Sequence, residues 1–95
     1  YLLTFMDICK SHHIRLICFS SSLFRPFVAD MAYSRKLGAL LEKSEIPYIN
    51  YILNPYAALS SPSCWQDAYH LNAKGARIES QHIADDVKSI LQLRH

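Results

Sequence analysis

Neither sign of charge dominates this chain: ten Lys and Arg stand against eight Asp and Glu, a formal charge of +2 over 95 residues. The basic residues are scattered rather than clustered, so the electrostatic footprint of a nucleic-acid or anionic-membrane binder is missing. Cysteine is scarce and odd in number. Cys9, Cys18 and Cys64 are widely spaced and form no Cys-x-x-Cys pair, so no zinc site, redox motif or disulfide framework is indicated. There are only two glycines, and neither belongs to the Gly-x-Ser-x-Gly turn that mounts a nucleophile on a strained elbow. No apolar stretch approaches the roughly 20 residues needed to cross a bilayer. The opening Tyr1-Leu2-Leu3-Thr4-Phe5-Met6 lacks a basic flank and meets Asp7 and Lys10 too early for a signal peptide. Tyr rather than Met at position 1 leads us to expect further sequence upstream, with any targeting signal on it.

What is present is the composition of a globular domain, 51% apolar and 12% aromatic, in a length that allows one domain and suits part of one. Leu2, Phe5, Met6 and Cys9 recur at helical spacing over residues 1–11, and Ser11-His12-His13 breaks the pattern. Ile14 to Phe19 is short and nearly continuous in apolar content, as in a strand buried on both faces. Ser20-Ser21-Ser22 ends it. A second helix is expected over about 28–44, with Ala29, Tyr33, Leu37, Leu40 and Leu41 as its stripe. Ile46 to Ile52 reads as a second strand, with Pro47 tolerated at its start. A long stretch from Leu53 to Tyr69 follows, and loops of that length tend to carry function. Asn72 suits the N-cap of a final helix over 73–93, whose apolar face is Ala76, Ile83, Ala84, Val87, Ile90 and Leu91.

Strand, crossover helix and strand imply parallel pairing. Two parallel strands cannot complete a sheet that is apolar on both faces, because an unpaired edge remains. The expected fold is therefore α/β: the last part of a three-layer sandwich, completed by more of its own domain or by an oligomer partner at the open edge.

Trp65-Gln66-Asp67-Ala68-Tyr69-His70-Leu71-Asn72-Ala73-Lys74-Gly75-Ala76 places a carboxylate three residues before a histidine in a loop entering a helix. Open α/β sheets set their sites beyond the carboxyl ends of their strands. There Asp67 could hold one imidazole nitrogen of His70 and leave the other free to take a proton from a hydroxyl. The same residues also suit a plain turn, with Asp67 and His70 hydrogen-bonded for structure, Asn72 capping the helix and Gly75 relieving crowding against the sheet.

The run Asp67-x-x-His70-Leu71-Asn72-x-x-Gly75-Ala76 resembles the last block of the SGNH/GDSL hydrolase superfamily, and is similar to that of bacterial members related to the D-alanine transfer protein of teichoic acid synthesis. The resemblance covers about ten residues closely and the order of elements loosely. It implies a flavodoxin-like α/β/α sandwich of which this chain supplies the last two strands and their helices. It also implies a serine esterase or O-acyltransferase with His70 as general base and Asp67 as its orienting partner. No cofactor is implied, since serine acyl transfer needs none. The substrate would be an ester or acylated molecule, and the cell-envelope relatives point outside the cytoplasm. The family's Gly-Asp-Ser nucleophile block is absent here. Its oxyanion-hole residues are missing too: Gly38 falls in an expected helix, and Asn50 and Asn54 lack the Gly-x-Asn context. By itself this chain is not expected to catalyse acyl transfer. The competing expectation is a non-catalytic α/β binding or assembly module.

Ser20, Ser21 and Ser22 lie at the carboxyl end of the first strand, but lining a substrate pocket suits Ser20 and Ser21 better than nucleophilic attack. Arg25 is a candidate contact for a polar or anionic substrate, and Trp65 a candidate wall of the site. His12 and His13 lack further ligands at metal spacing and read as a solvated turn. His82 is expected to face solvent, and His95 is terminal. Tyr48 and Tyr51 read as strand packing.

Overall fold

The computed structural model describes residues 1–67 and 69–93. His95 lies outside them. In chain order the elements are α1 (Leu2–Ser11), β1 (Cys18–Ser20), α2 (Val28–Lys43), β2 (Tyr48–Asn50), 3₁₀ turns at Ala57–Leu59 and Pro62–Cys64, and α3 (Ala73–Leu93). β1 and β2 are parallel, with Cys18 opposite Tyr48, Phe19 opposite Ile49 and Ser20 opposite Asn50. Among the described residues the architecture is mixed α/β, three helices on a two-stranded parallel sheet.

Both strands are shorter than their apolar runs, and the reason lies in the helix ends before them. α1 and α2 finish in the same six-residue cap. His13 N–H donates to the Lys10 carbonyl and Ile14 N–H to that of Cys9. After α2, Glu45 N–H donates to Glu42 and Ile46 N–H to Leu41. This is the Schellman pattern. It uses the amides of Ile14 and Ile46, so neither residue is free to open a ladder, and Pro47 has no N–H to give. Pro47 still contributes its carbonyl, which accepts from Cys18 N–H. At the far end, Tyr51 N–H reaches the Ser20 carbonyl. The Asn50 side chain then accepts from the amides of Ile52 and Leu53, each at 3.1 Å. That turn removes Ile52 from the strand, whereas Ser20, expected to end β1, pairs within it.

The residue past each helix end sits in the left-handed region, His13 at φ 57° and Glu45 at φ 60°. Glycine adopts this conformation without the side-chain crowding that costs other residues about 1–2 kcal/mol. Glu45 is exposed. Glu45→Gly is therefore expected to stabilise the protein by about 1 kcal/mol. The check is the urea midpoint, which should rise without a change in slope; an unchanged or lower midpoint would contradict the cap geometry.

Among the described residues the buried apolar side chains are few: Met6, Cys9, Leu41, Tyr51, Leu59 and Cys64. The apolar stripe expected on α2 is covered only in part. Leu41 is buried and Leu37 and Leu40 half-buried, while Ala29 and Tyr33 are exposed. On α3, Ile83, Val87, Ile90 and Leu91 are half-buried, but Ala76 and Ala84 are exposed, and the innermost positions are Gly75 and Glu79. Phe19 in β1 also stays exposed. Two strands offer too little area to cover three amphipathic helices, so these faces look outward.

Candidate functional site

The loop before α3 closes on itself as a tight hairpin. Trp65 and Leu71 form an antiparallel bridge, and the His70 carbonyl accepts from Gln66 N–H at 2.8 Å. Asp67 sits at the bend. Its Oδ1 accepts from the backbone amides of Tyr69 at 2.8 Å and His70 at 2.7 Å. The imidazole Nδ1 of His70 lies 2.9 Å from Oδ1 and 2.8 Å from Oδ2 of the same carboxylate. One side chain therefore shapes the turn and holds the ring. An ionised carboxylate can only accept, so neutral His70 carries its proton on Nδ1 and presents a bare Nε2. The pair is open to solvent, with 72% of the His70 side chain and 53% of Asp67 exposed. An ion pair so exposed adds little to stability, so holding the ring is its principal effect.

The anchor of this loop is the start of α3. Asn72 caps the helix as expected: its Oδ1 accepts Gly75 N–H at 3.0 Å. Its Nδ2 donates to the Ser63 carbonyl at 2.7 Å, and its own amide donates to the Cys64 carbonyl at 3.0 Å. Gly75 is required by space. A Cβ there would collide with the Cys64 carbonyl oxygen and come within 2.7 Å of the Leu71 side chain. The crowding comes from the loop's own backbone rather than from the sheet.

Hydrogen bonds from the Tyr69 amide, then from the His70 ring and the His70 amide, hold the Asp67 carboxyl below its ordinary value. A depressed folded pKa means the contribution is complete above the unfolded value and is lost as pH falls through the folded one. The downfield amide resonances of Tyr69 and His70 are thus expected to persist from neutral pH to below 3.8, the ordinary carboxyl value here. Their collapse above that pH would contradict the turn described.

Phe24 and Arg25, from the loop after β1, meet Pro62, Trp65 and Asp67, from the loop after β2, around an open hollow of about 320 Å³. It lies on the carboxyl side of both strands. The Trp65 ring rests against Phe24, centroids 5.6 Å apart, and its Nε1 donates to the Leu59 carbonyl at 2.7 Å. The Arg25 guanidinium lies over Phe24 at 5.5 Å. Phe27 and Tyr69, both exposed, approach to 5.9 Å beside the histidine. The fold thus brings Arg25, Trp65 and Asp67 together.

Ser20 and Ser21 are not among the residues lining the hollow. The Ser20 hydroxyl pairs with Tyr48 Oη across the two strands. Ser21 Oγ donates to Glu79, 2.9 Å from each carboxylate oxygen, and Ser22 N–H donates to Glu79 Oε1 at 2.9 Å. No serine hydroxyl among the described residues hydrogen-bonds to His70 Nε2, and they form no cluster of three or more metal-ligating side chains. None of the described helices is long and apolar enough to cross a membrane.

Glu79 escaped the sequence reading, although a signal was there: it falls between Ala76 and Ile83 on the expected apolar stripe of α3. Asp86 follows one heptad later on the same face. It accepts from Tyr51 Oη at 2.6 Å and Tyr56 Oη at 2.9 Å. Burial, and then the bond to Asp86, push the Tyr51 phenol up to about 12. Burial likewise raises Tyr56. His82, expected to face solvent, is half-buried and stacks on Tyr56 with centroids 3.7 Å apart. An aromatic supplied by the long loop covers it, which helical periodicity alone does not reveal.

In comparisons with protein-family models, curated proteins and solved structures, nothing matches this chain.

Proposed function

We propose that this chain is the base-bearing segment of a serine esterase or O-acyltransferase of SGNH type, within a flavodoxin-like sandwich completed by strands outside residues 1–95. The observation that carries it is the double grip of Asp67 on the His70 loop and ring: it leaves Nε2 without a hydrogen bond among the described residues, and Asp67 itself lines the hollow at the carboxyl side of two parallel strands. A serine from outside these residues supplies the nucleophile. His70 Nε2 takes the hydroxyl proton as the serine oxygen bonds to the ester carbonyl carbon. Asp67 stabilises the imidazolium. When the tetrahedral intermediate collapses, the carbon–oxygen bond to the alcohol breaks and Nε2 returns the proton to the leaving oxygen. Water or an acceptor hydroxyl then repeats the sequence on the acyl-enzyme, restoring the serine. In the free segment the pair is widely exposed, and closure by the rest of the domain and by substrate would strengthen each of these interactions.

The experiment is fluorophosphonate labelling of the full-length protein, with the adduct located by peptide mass spectrometry. A serine adduct outside residues 1–95, lost in His70→Ala, is expected. An adduct on Ser20, Ser21 or Ser22 would relocate the nucleophile. No adduct would favour a binding or assembly module that keeps the scaffold without the chemistry.

A further inference from the structure

The alternation of a parallel ladder fixes which edge of this sheet is open. A bonded residue reaches both neighbours of its opposite number, and the next residue turns its amide and carbonyl the other way. Cys18 N–H donates to the Pro47 carbonyl and Tyr51 N–H to that of Ser20, so Cys18 and Ser20 face β2. Phe19 between them turns both backbone groups to the outer side of β1, and nothing among the described residues bonds to either. On β2 the outward residues are Tyr48 and Asn50. There the Asn50 carbonyl accepts from both the amide and the side chain of Asn54. The chain's own turn thus closes the outer edge of β2 at its carboxyl end, while β1 keeps an unpaired edge whose central side chain, Phe19, is 47% exposed.

α1 says what belongs there. Its apolar arc is wider than the part the sheet covers: Met6 and Cys9 in the middle are buried, but Leu3 on one flank and Phe5 and Ile8 on the other are exposed. α1 also enters β1 through the same Schellman cap by which α2 enters β2. β1, α2, the cap and β2 make one strand–helix–strand unit. α1, its cap and β1 make the latter half of another, whose first strand is not among residues 1–95. We propose that this strand is the segment directly preceding α1 in the full-length protein. It lies parallel to β1 on the Phe19 edge, with α1 as its right-handed crossover. This placement rests on the sheet completion proposed above and adds the edge, the direction and the segment. It also extends the site. The loop joining the new strand to α1 opens at the carboxyl end of the sheet, the side of the Asp67 hollow, and so borders it.

The test follows backbone amides of the full-length protein by NMR. Phe19 N–H is expected to exchange with solvent deuterium about a hundredfold more slowly than Asn50 N–H. It is also expected to show nuclear Overhauser contacts to the residues directly preceding Tyr1. Exchange of Phe19 at the Asn50 rate would overturn the proposal. So would contacts from Phe19 N–H to residues beyond His95 or, in a mixture of labelled and unlabelled protein, to a second copy. The readout needs no turnover, which separates it from the chemistry. A protected Phe19 amide in a protein that takes no fluorophosphonate adduct would keep the strand and discard the acyl-transfer role. An adduct on a protein whose Phe19 amide exchanges freely would do the reverse.

Discussion

Asp67→Asn in the full-length protein is expected to lower the rate of ester turnover about 10⁴-fold while leaving the loop standing. The amide oxygen of Asn can still accept the Tyr69 and His70 backbone amides, which Asp67 Oδ1 now accepts. Its NH₂ group, however, would face His70 Nδ1 as a donor. The ring must then carry its proton on Nε2, and the base loses its lone pair toward the serine. Asp67→Ala removes the turn and the tautomer control together. The two variants therefore separate chemistry from folding: ¹⁵N chemical shifts of the imidazole report the tautomer, and the amide resonances of residues 69 and 70 report the loop. An Asn variant that keeps turnover within tenfold of the wild type would show that Asp67 serves the turn alone.

Glu79→Ala is expected to destabilise the protein by about 3 kcal/mol, because it strips a charged acceptor from the buried Ser22 amide and from Ser21 Oγ at once. Glu79→Gln should cost roughly half as much, since its amide oxygen keeps one of these bonds. The measurement is urea unfolding of the full-length protein. The local consequence is sharper than the global one. Glu79 ties the segment after β1 to α3, and that segment delivers Phe24 and Arg25 to the hollow beside Asp67. Loss of the tie should loosen the hollow before it unfolds the helix. The change would be visible as faster hydrogen exchange at residues 21–25 than at the middle of α3. A Glu79→Ala protein as stable as the wild type would mean that the buried carboxylate had found other partners.

The parts of this fold that were legible in the sequence are those decided within a few residues. The Asn72 cap, the span of α3 and the contact between Asp67 and His70 all depend on spacings of three or four, which side-chain chemistry alone settles. The strands were only half legible. Ile14 and Ile46 look like strand residues by composition, yet their amides close helix caps first. The polar residues on the inner face of α3 were not legible, for a different reason. Glu79, His82 and Asp86 answer to Ser21, Tyr56 and Tyr51, partners 58, 26 and 35 residues away, and periodicity marks which face is turned inward without naming what waits there. The exposed Tyr33 and Phe19 reflect the same non-local choice, since the width of the sheet decides which apolar faces are covered.

The contact between the α3 backbone at Gly75 and the Cys64 carbonyl has a consequence for descent. Cys64, Asn72 and Gly75 interlock through the Cys64 carbonyl, the Asn72 amide and the Asn72 side chain, so the eight-residue interval from Asp67 to Gly75 cannot lengthen or shorten by one residue without breaking either the Asp67–His70 pair or the cap that anchors its loop. In any lineage that keeps this site, insertions and deletions should accumulate between Leu53 and Ser61 and stop short of Trp65. The glycine should persist even where the histidine has been lost, because the packing against the Cys64 carbonyl that requires it does not involve His70.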